Sequence, residues 1–158
     1  MTNEEKAYIA GFLDGDGCIM AQLVKHKDYA LGYQIRVSIV FYQKNIHQEI
    51  LSWLKSMLQI GYVRQRNDGM AEYTIVGLKE VKGILELLYP FLRLKKALAK
   101  EIIHLINSFP AKMTVKDLLR LSKIVDTTAK FNYSKKRTNT SATVVAFLKS
   151  RNLFPVET

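Results

Sequence analysis

The chain has a single cysteine, Cys18, so it can form neither an internal disulfide nor a multi-cysteine zinc site. Its three histidines, His26, His47 and His104, do not fall at metal-ligand spacing with one another, and no Ser/His/Asp triad can be argued from them. No apolar run reaches the length of a membrane span, so no membrane partner is expected. The first residues, MTNEEKAYIAGF, lack the basic start and long apolar run of a signal peptide, and no transit peptide is visible. A soluble protein of a reducing compartment is the expectation. Acidic side chains are also scarce. Fourteen stand against 24 basic ones, for a net charge of +10 and a pI near 9.7. Such a balance points to a polyanionic partner. The excess is uneven: residues 1–78 carry eight charges of each sign, and residues 79–158 carry sixteen basic and six acidic.

What is present is an ordinary apolar content of 48% in 158 residues, enough for one domain with a real core. Residues 4–13 read as a short helix, with Tyr8 and Phe12 on one face, running into Asp14-Gly15-Asp16-Gly17. The two glycines are expected to stop the helix and turn the chain. Two strands follow. Ile35, Val37, Ile39 and Phe41 alternate with more polar neighbours in the second, and Ile19, Ala21 and Leu23 form the apolar set of the first. Residues 45–59 switch to helical period. Tyr62–Arg66 and Ala71–Val76 form a second hairpin across Asn67-Asp68-Gly69. Helices are expected over 79–88, 95–109, 114–130 and 142–151, with a polar basic segment at 131–141. The order is αββαββ followed by helices, which implies an α+β domain with a four-stranded antiparallel sheet backed by helices.

One sheet face carries Gln22, His26, Gln34, Arg36, Ser38, Tyr42, Arg64 and Arg66, with Val24 and Val40 among them. Gln, Arg and Ser match the donors and acceptors of base edges in the major groove. A merely solvated face would also be polar. The long strands and the scarcity of Lys and Glu favour binding. Lys95 and Lys96 stand at the start of a helix, where the helix dipole disfavours cations. That conflict hints at function. The carboxylates of Asp14 and Asp16 suit a hard cation with phosphate oxygens, or a turn in which Asp bonds local amides. A calcium-binding EF-hand loop is excluded: counted from Asp14, Cys18, Ile19 and Lys25 occupy its fifth, sixth and twelfth positions.

Ile9-Ala10-Gly11-Phe12-Leu13-Asp14-Gly15-Asp16-Gly17 resembles the LAGLIDADG motif, present once. Tyr33-Gln34, Gln43-Lys44, Gly61 to Arg66, Pro90 to Lys95 and Ser134 to Val144 resemble the chloroplast-intron branch of single-motif LAGLIDADG homing endonucleases. The resemblance implies the αββαββ LAGLIDADG fold with a saddle-shaped sheet and C-terminal helices. It implies a homodimer formed by the motif helix through Ala10, Gly11, Leu13 and Asp14, and hence a near-palindromic duplex target. Asp16 and the Gly15 carbonyl would hold Mg²⁺, for which Mn²⁺ would substitute. Gln43 and Lys95 would organise water and charge. His47 stands where the family often has Arg, a departure from the family's pattern. Bases or backbone would be met by Gln22, Val24, His26, Asp28, Tyr29, Gln34, Arg36, Ser38, Val40, Tyr42, Arg64, Arg66, Glu72 and Thr74, and phosphates by Lys135, Lys136 and Arg137. The activity implied is double-strand cleavage with short 3′ overhangs, promoting intron homing in an organelle, the chloroplast. The alternative is a non-cleaving binder, either an intron RNA maturase or a DNA-binding regulator.

Overall fold

The computed structural model describes residues 1–132 and 137–155. Helix α1 spans Asn3–Asp16 and opens with a capping box in which Thr2 and Glu5 satisfy each other's backbone N–H. The helix does not stop at the first Asp of the acidic stretch, as the glycines suggested. It runs through Asp14, Gly15 and Asp16 and ends at Gly17, whose φ of −109° is ordinary extended backbone. Gly17 is required by space instead. A Cβ there would stand 2.6 Å from Leu13 Cδ1 and 2.9 Å from Leu13 Cα.

Strands β1 (Gly17–Lys25), β2 (Tyr33–Lys44), β3 (Tyr62–Gln65) and β4 (Met70–Val76) form one sheet in the order β1-β2-β4-β3. β2 pairs antiparallel with β4, Phe41 opposite Tyr73, and β3 pairs antiparallel with β4, Arg64 opposite Glu72. Val37, Ile39 and Phe41 of β2 are buried as expected, but Ile35 is only half-buried, and Ser38 and Val40 on the opposite face are buried too. The Phe41 and Tyr73 rings stack 5.7 Å apart. Helices α2 (Glu49–Leu58) and α3 (Leu78–Leu88) bury Leu51, Leu54, Val81, Leu85 and Leu88. A 3₁₀ turn, Asn45–His47, takes the first residues expected for α2. Past α2, Gly61 (φ +80°) brings its backbone against β4, where a Cβ would lie 2.4 Å from the Thr74 carbonyl oxygen. Then come α4 (Lys96–Asn107), α5 (Val115–Ala129) and α6 (Ser141–Ser150).

The chain divides into two compact units. One holds residues 1–20 and 37–103, the other residues 21–36 and 104–158, and β1 and β2 contribute residues to both. Among the described residues no helix is long and apolar enough to cross a membrane.

Candidate active site and nucleic-acid interface

In the first unit, the last turn of α1 meets the segment that leads into α4. The Asp14 carboxylate accepts three backbone N–H bonds there, from Arg93 (2.8 Å), Leu94 (3.1 Å) and Lys95 (2.9 Å). Lys95 Nζ donates back to the Asp14 carbonyl oxygen at 2.6 Å. Free N–H groups and positive dipole charge at a helix start attract a carboxylate. The unfavourable placement of Lys95 and Lys96 is thereby offset by Asp14.

Asp16, one turn position on, is exposed and has no hydrogen-bond or ion-pair partner among the described residues. It sits with Gly15 where the helix carbonyls lose their intrahelical partners. No cluster of three or more His, Cys, Asp or Glu side chains among the described residues could hold a metal. The donor set of Asp16 and a carbonyl fits a hard cation only as a partial shell, completed by water and phosphate oxygens. That is how Mg²⁺ is ordinarily held.

Gln43 lies near the end of β2, half-buried, with Oε1 accepting from Lys44 N at 2.9 Å. His47 is exposed in the 3₁₀ turn. Among the described residues neither makes a hydrogen bond or ion pair with Asp16 or Lys95; of these three, Lys95 is the one that bonds the motif helix. Cys18, which the motif alone does not mark as functional, is a further neighbour of Lys95. Burial pushes its thiol pKa up, and the Lys95 ammonium pulls against that shift. Tyr42 extends the cluster. Burial raises its hydroxyl pKa, Cys18 and Glu72 raise it further, and Arg66 opposes them. The position of Cys18, directly after the motif, was the one available signal.

On the sheet face of Tyr42 in this unit, the register sets Tyr42, Glu72 and Arg64 in one row, and Val40, Thr74 and Tyr62 in the next. Arg64 is well exposed at 63% of its side chain, against 12% for Glu72. Glu72 bonds Arg64 at 2.5 Å and stands 3.9 Å from Arg66, which also pairs with Asp68 at 2.8 Å. Ser38, Val40, Glu72 and Thr74 are buried, which corrects the expectation that they meet DNA directly. β2 and β4 are the inner strands, so short side chains there lie between rows on both sides. Glu72 instead holds the two arginines.

The second unit contains the β1–β2 tip. Gln22, His26, Asp28, Gln34 and Arg36 are exposed, and Val24 and Tyr29 are half-buried. His26 N donates to Gly32 O at 3.1 Å and closes the tip. The His26 ring accepts from Asp28 N at 3.2 Å and lies 5.3 Å from the Tyr29 ring. Arg137 was expected on phosphate. It is instead half-buried and paired with Asp126 of α5 at 3.2 Å. Lys135 and Lys136 lie outside the described residues.

The interface expectation for α1 also needs correction. Ala10 and Leu13 are fully buried in the chain's own core. Ala7, Gly11 and Gly15, spaced by four, are among the exposed positions of α1, with Tyr8 and Asp16 beside them, and a Cβ on either glycine would meet nothing within 4 Å.

Residues 9–106 match the family model described as LAGLIDADG endonuclease. The chain belongs to the LAGLIDADG endonuclease family. It is 39% identical to the DNA endonuclease I-CvuI of Chlorella vulgaris over 143 residues, covering 90% of this chain and 89% of that one. It is 35% identical to the DNA endonuclease I-CreI of Chlamydomonas reinhardtii over 144 residues, covering 90% and 88%. The crystal structure of the homing endonuclease I-CvuI with its target, in the presence of calcium, superposes with a TM-score of 0.92 at 37% identity. It covers 96% of this chain and 97% of that one. The archaeal intron-encoded homing endonuclease I-Vdi141I complexed with DNA matches at a TM-score of 0.82 and 19% identity, which speaks to fold alone. The four-stranded α+β architecture and the family assignment are therefore as the motif implied.

Proposed function

We propose that the protein is a site-specific DNA endonuclease that acts as a homodimer with divalent metal and cuts both strands of a long, near-palindromic target. One observation carries this reading. Asp16 stands free at the end of a helix with an exposed stripe, Ala7-Gly11-Gly15, that carries nothing larger than a methyl group to hold a second helix away. Two copies of α1 crossing on that stripe, related by a two-fold axis, would set two Asp16 carboxylates side by side. A two-fold pair of acidic centres suits two phosphates on opposite strands of a duplex. The relative I-CvuI has been solved on DNA with calcium and with magnesium, which supports a hard divalent ion here.

Asp16 and the Gly15 carbonyl would hold the ion. When bound, it polarises the scissile phosphate and lowers the pKa of a water for in-line attack. Lys95 is positioned by Asp14 at the same helix end and supplies positive charge beside the phosphate. Gln43 offers an amide to orient water, and His47 stands exposed at the adjacent turn. Arg64 and Arg66, steadied by Glu72, and the β1–β2 tip supply groups for base edges. Magnesium with manganese as a substitute, 3′ overhangs, intron homing and an organellar, chloroplast setting belong to the same proposal.

Asp16→Asn removes the charge and keeps the shape. It should abolish cleavage of duplex in Mg²⁺ while gel-shift affinity in Ca²⁺ stays near that of the parent protein. Cleavage at the parent rate would overturn the assignment.

A further inference from the structure

The β1–β2 tip joins the edge strand β1 to its neighbour β2, and a two-stranded ribbon is marginally stable by itself. One aromatic ring from the far end of the sequence lies against it. Phe147, on α6, packs against Gly32: a Cβ built on that glycine would stand 2.1, 2.4 and 2.9 Å from three atoms of the ring. Gly32 also has φ +76°, so both the turn and the ring demand glycine there. The same ring meets the buried Tyr33 edge-on, with centroids 5.6 Å apart and planes at 80°. Two cations gather on it, Lys25 Nζ at 5.2 Å and the Arg151 guanidinium carbon at 5.6 Å from the centroid.

α6 is itself anchored. Its first residue, Ser141, donates its backbone N–H to both oxygens of Asp126 on α5, at 3.2 and 3.1 Å. Val144 and Leu148 are fully buried. The contacted residues Lys25, Gly32 and Tyr33 flank His26 and Gln34, and Gly32 O accepts the hydrogen bond that closes the tip under His26.

We infer that Phe147 is a positioning residue for DNA reading: it clamps the β1–β2 tip through Gly32, Tyr33 and Lys25, and so fixes where His26, Tyr29 and Gln34 meet the duplex. This rests on the reading of that hairpin as a DNA-contacting element. A ring that merely filled space would affect stability and leave sequence preference alone. A clamp acts on preference at the base pairs the tip reads.

The test is Mg²⁺-dependent cleavage of a library holding every single-base variant of the target, with kcat/KM resolved by position. His26→Ala and Tyr29→Ala first mark the base pairs read by the tip. Phe147→Ala and Phe147→Leu should lower discrimination at those same pairs by about tenfold, the worth of one well-read base, and leave the other positions within about twofold. Phe147→Tyr, which keeps the ring, should restore the parent profile. A parent profile in Phe147→Leu overturns the inference, including the case in which Phe147→Ala fails to fold. Uniform flattening at all positions overturns it as well. If His26→Ala and Tyr29→Ala flatten no position, the hairpin is not a reader and the underlying reading falls with the inference. If they flatten some and the Phe147 variants do not, only the clamp falls.

Discussion

Asp14→Ala removes a carboxylate that accepts three backbone N–H bonds at 2.8, 3.1 and 2.9 Å and thereby ties the end of α1 to the start of α4. A hydrogen bond to a charged group contributes about 1.5–3 kcal/mol. Arg93 and Leu94 are exposed, and water takes over their N–H groups when the carboxylate is gone, so those two bonds count for little. The half-buried Lys95 N–H keeps most of its loss. Adding the lost favourable charge at the start of α4, about 0.3–1 kcal/mol, gives a net destabilisation of about 2–4 kcal/mol. A domain has about 5–15 kcal/mol in all, so the change is large. Asp14→Asn keeps one acceptor oxygen and should cost about half as much. Urea unfolding followed by circular dichroism reads this as a shift of midpoint at constant slope. Cleavage should fall by a larger factor than DNA affinity, because Lys95 Nζ loses its fixed acceptor turn while the reading strands are untouched. An Asp14→Ala protein with an unchanged midpoint and an unchanged cleavage rate would refute the argument that this carboxylate builds the site.

Gly17→Ala should destabilise by about 1–3 kcal/mol by overpacking against Leu13, since two of the three contacts it would make are with backbone atoms. Thermal unfolding of that variant checks it, and a neutral result would mean the end of α1 yields easily. Stability should also fall at both extremes of pH. Burial pushes Tyr73, which donates to the Ile60 carbonyl at 2.6 Å, up from 10.0 to about 12. Its contribution is whole below pH 10.0 and is lost as pH rises toward about 12. The hydroxyl and backbone N–H of Thr114 hold Asp117 below 3.8, so its contribution is whole above that value and is lost as pH falls beneath it. Unfolding midpoints against pH should show both limbs, and Tyr73→Phe should flatten the alkaline one and Asp117→Asn the acid one.

Much of this was legible in the chain because local pattern and tertiary structure agree. The alternation Val37, Ile39, Phe41 marks the core face of β2, and Asn67-Asp68-Gly69 makes the turn it signals, with Gly69 at φ +81°. Misreadings occur where partners distant in sequence decide. The end of α1 looked like a stop signal because two glycines weaken a helix there, but contacts some 80 residues away hold it. The family resemblance puts Ala10 and Leu13 at the interface with Gly11, whereas helical period turns Ala7, Gly11 and Gly15 outward. Glu72 and Thr74 alternate correctly onto the polar face, yet alternation does not say that an inner strand hides its shorter side chains. Arg137 looked like a free cation in a basic run, and only the fold brings Asp126 beside it.

The account turns on two Asp16 carboxylates serving opposite strands. A tethered dimer that pairs one parent protomer with one Asp16→Asn protomer, given supercoiled plasmid bearing the target and Mg²⁺, tests this directly. Nicked circles that do not go on to linear DNA are the expected product. Linear DNA at the parent rate would contradict one centre per strand, and complete inactivity would contradict independent centres.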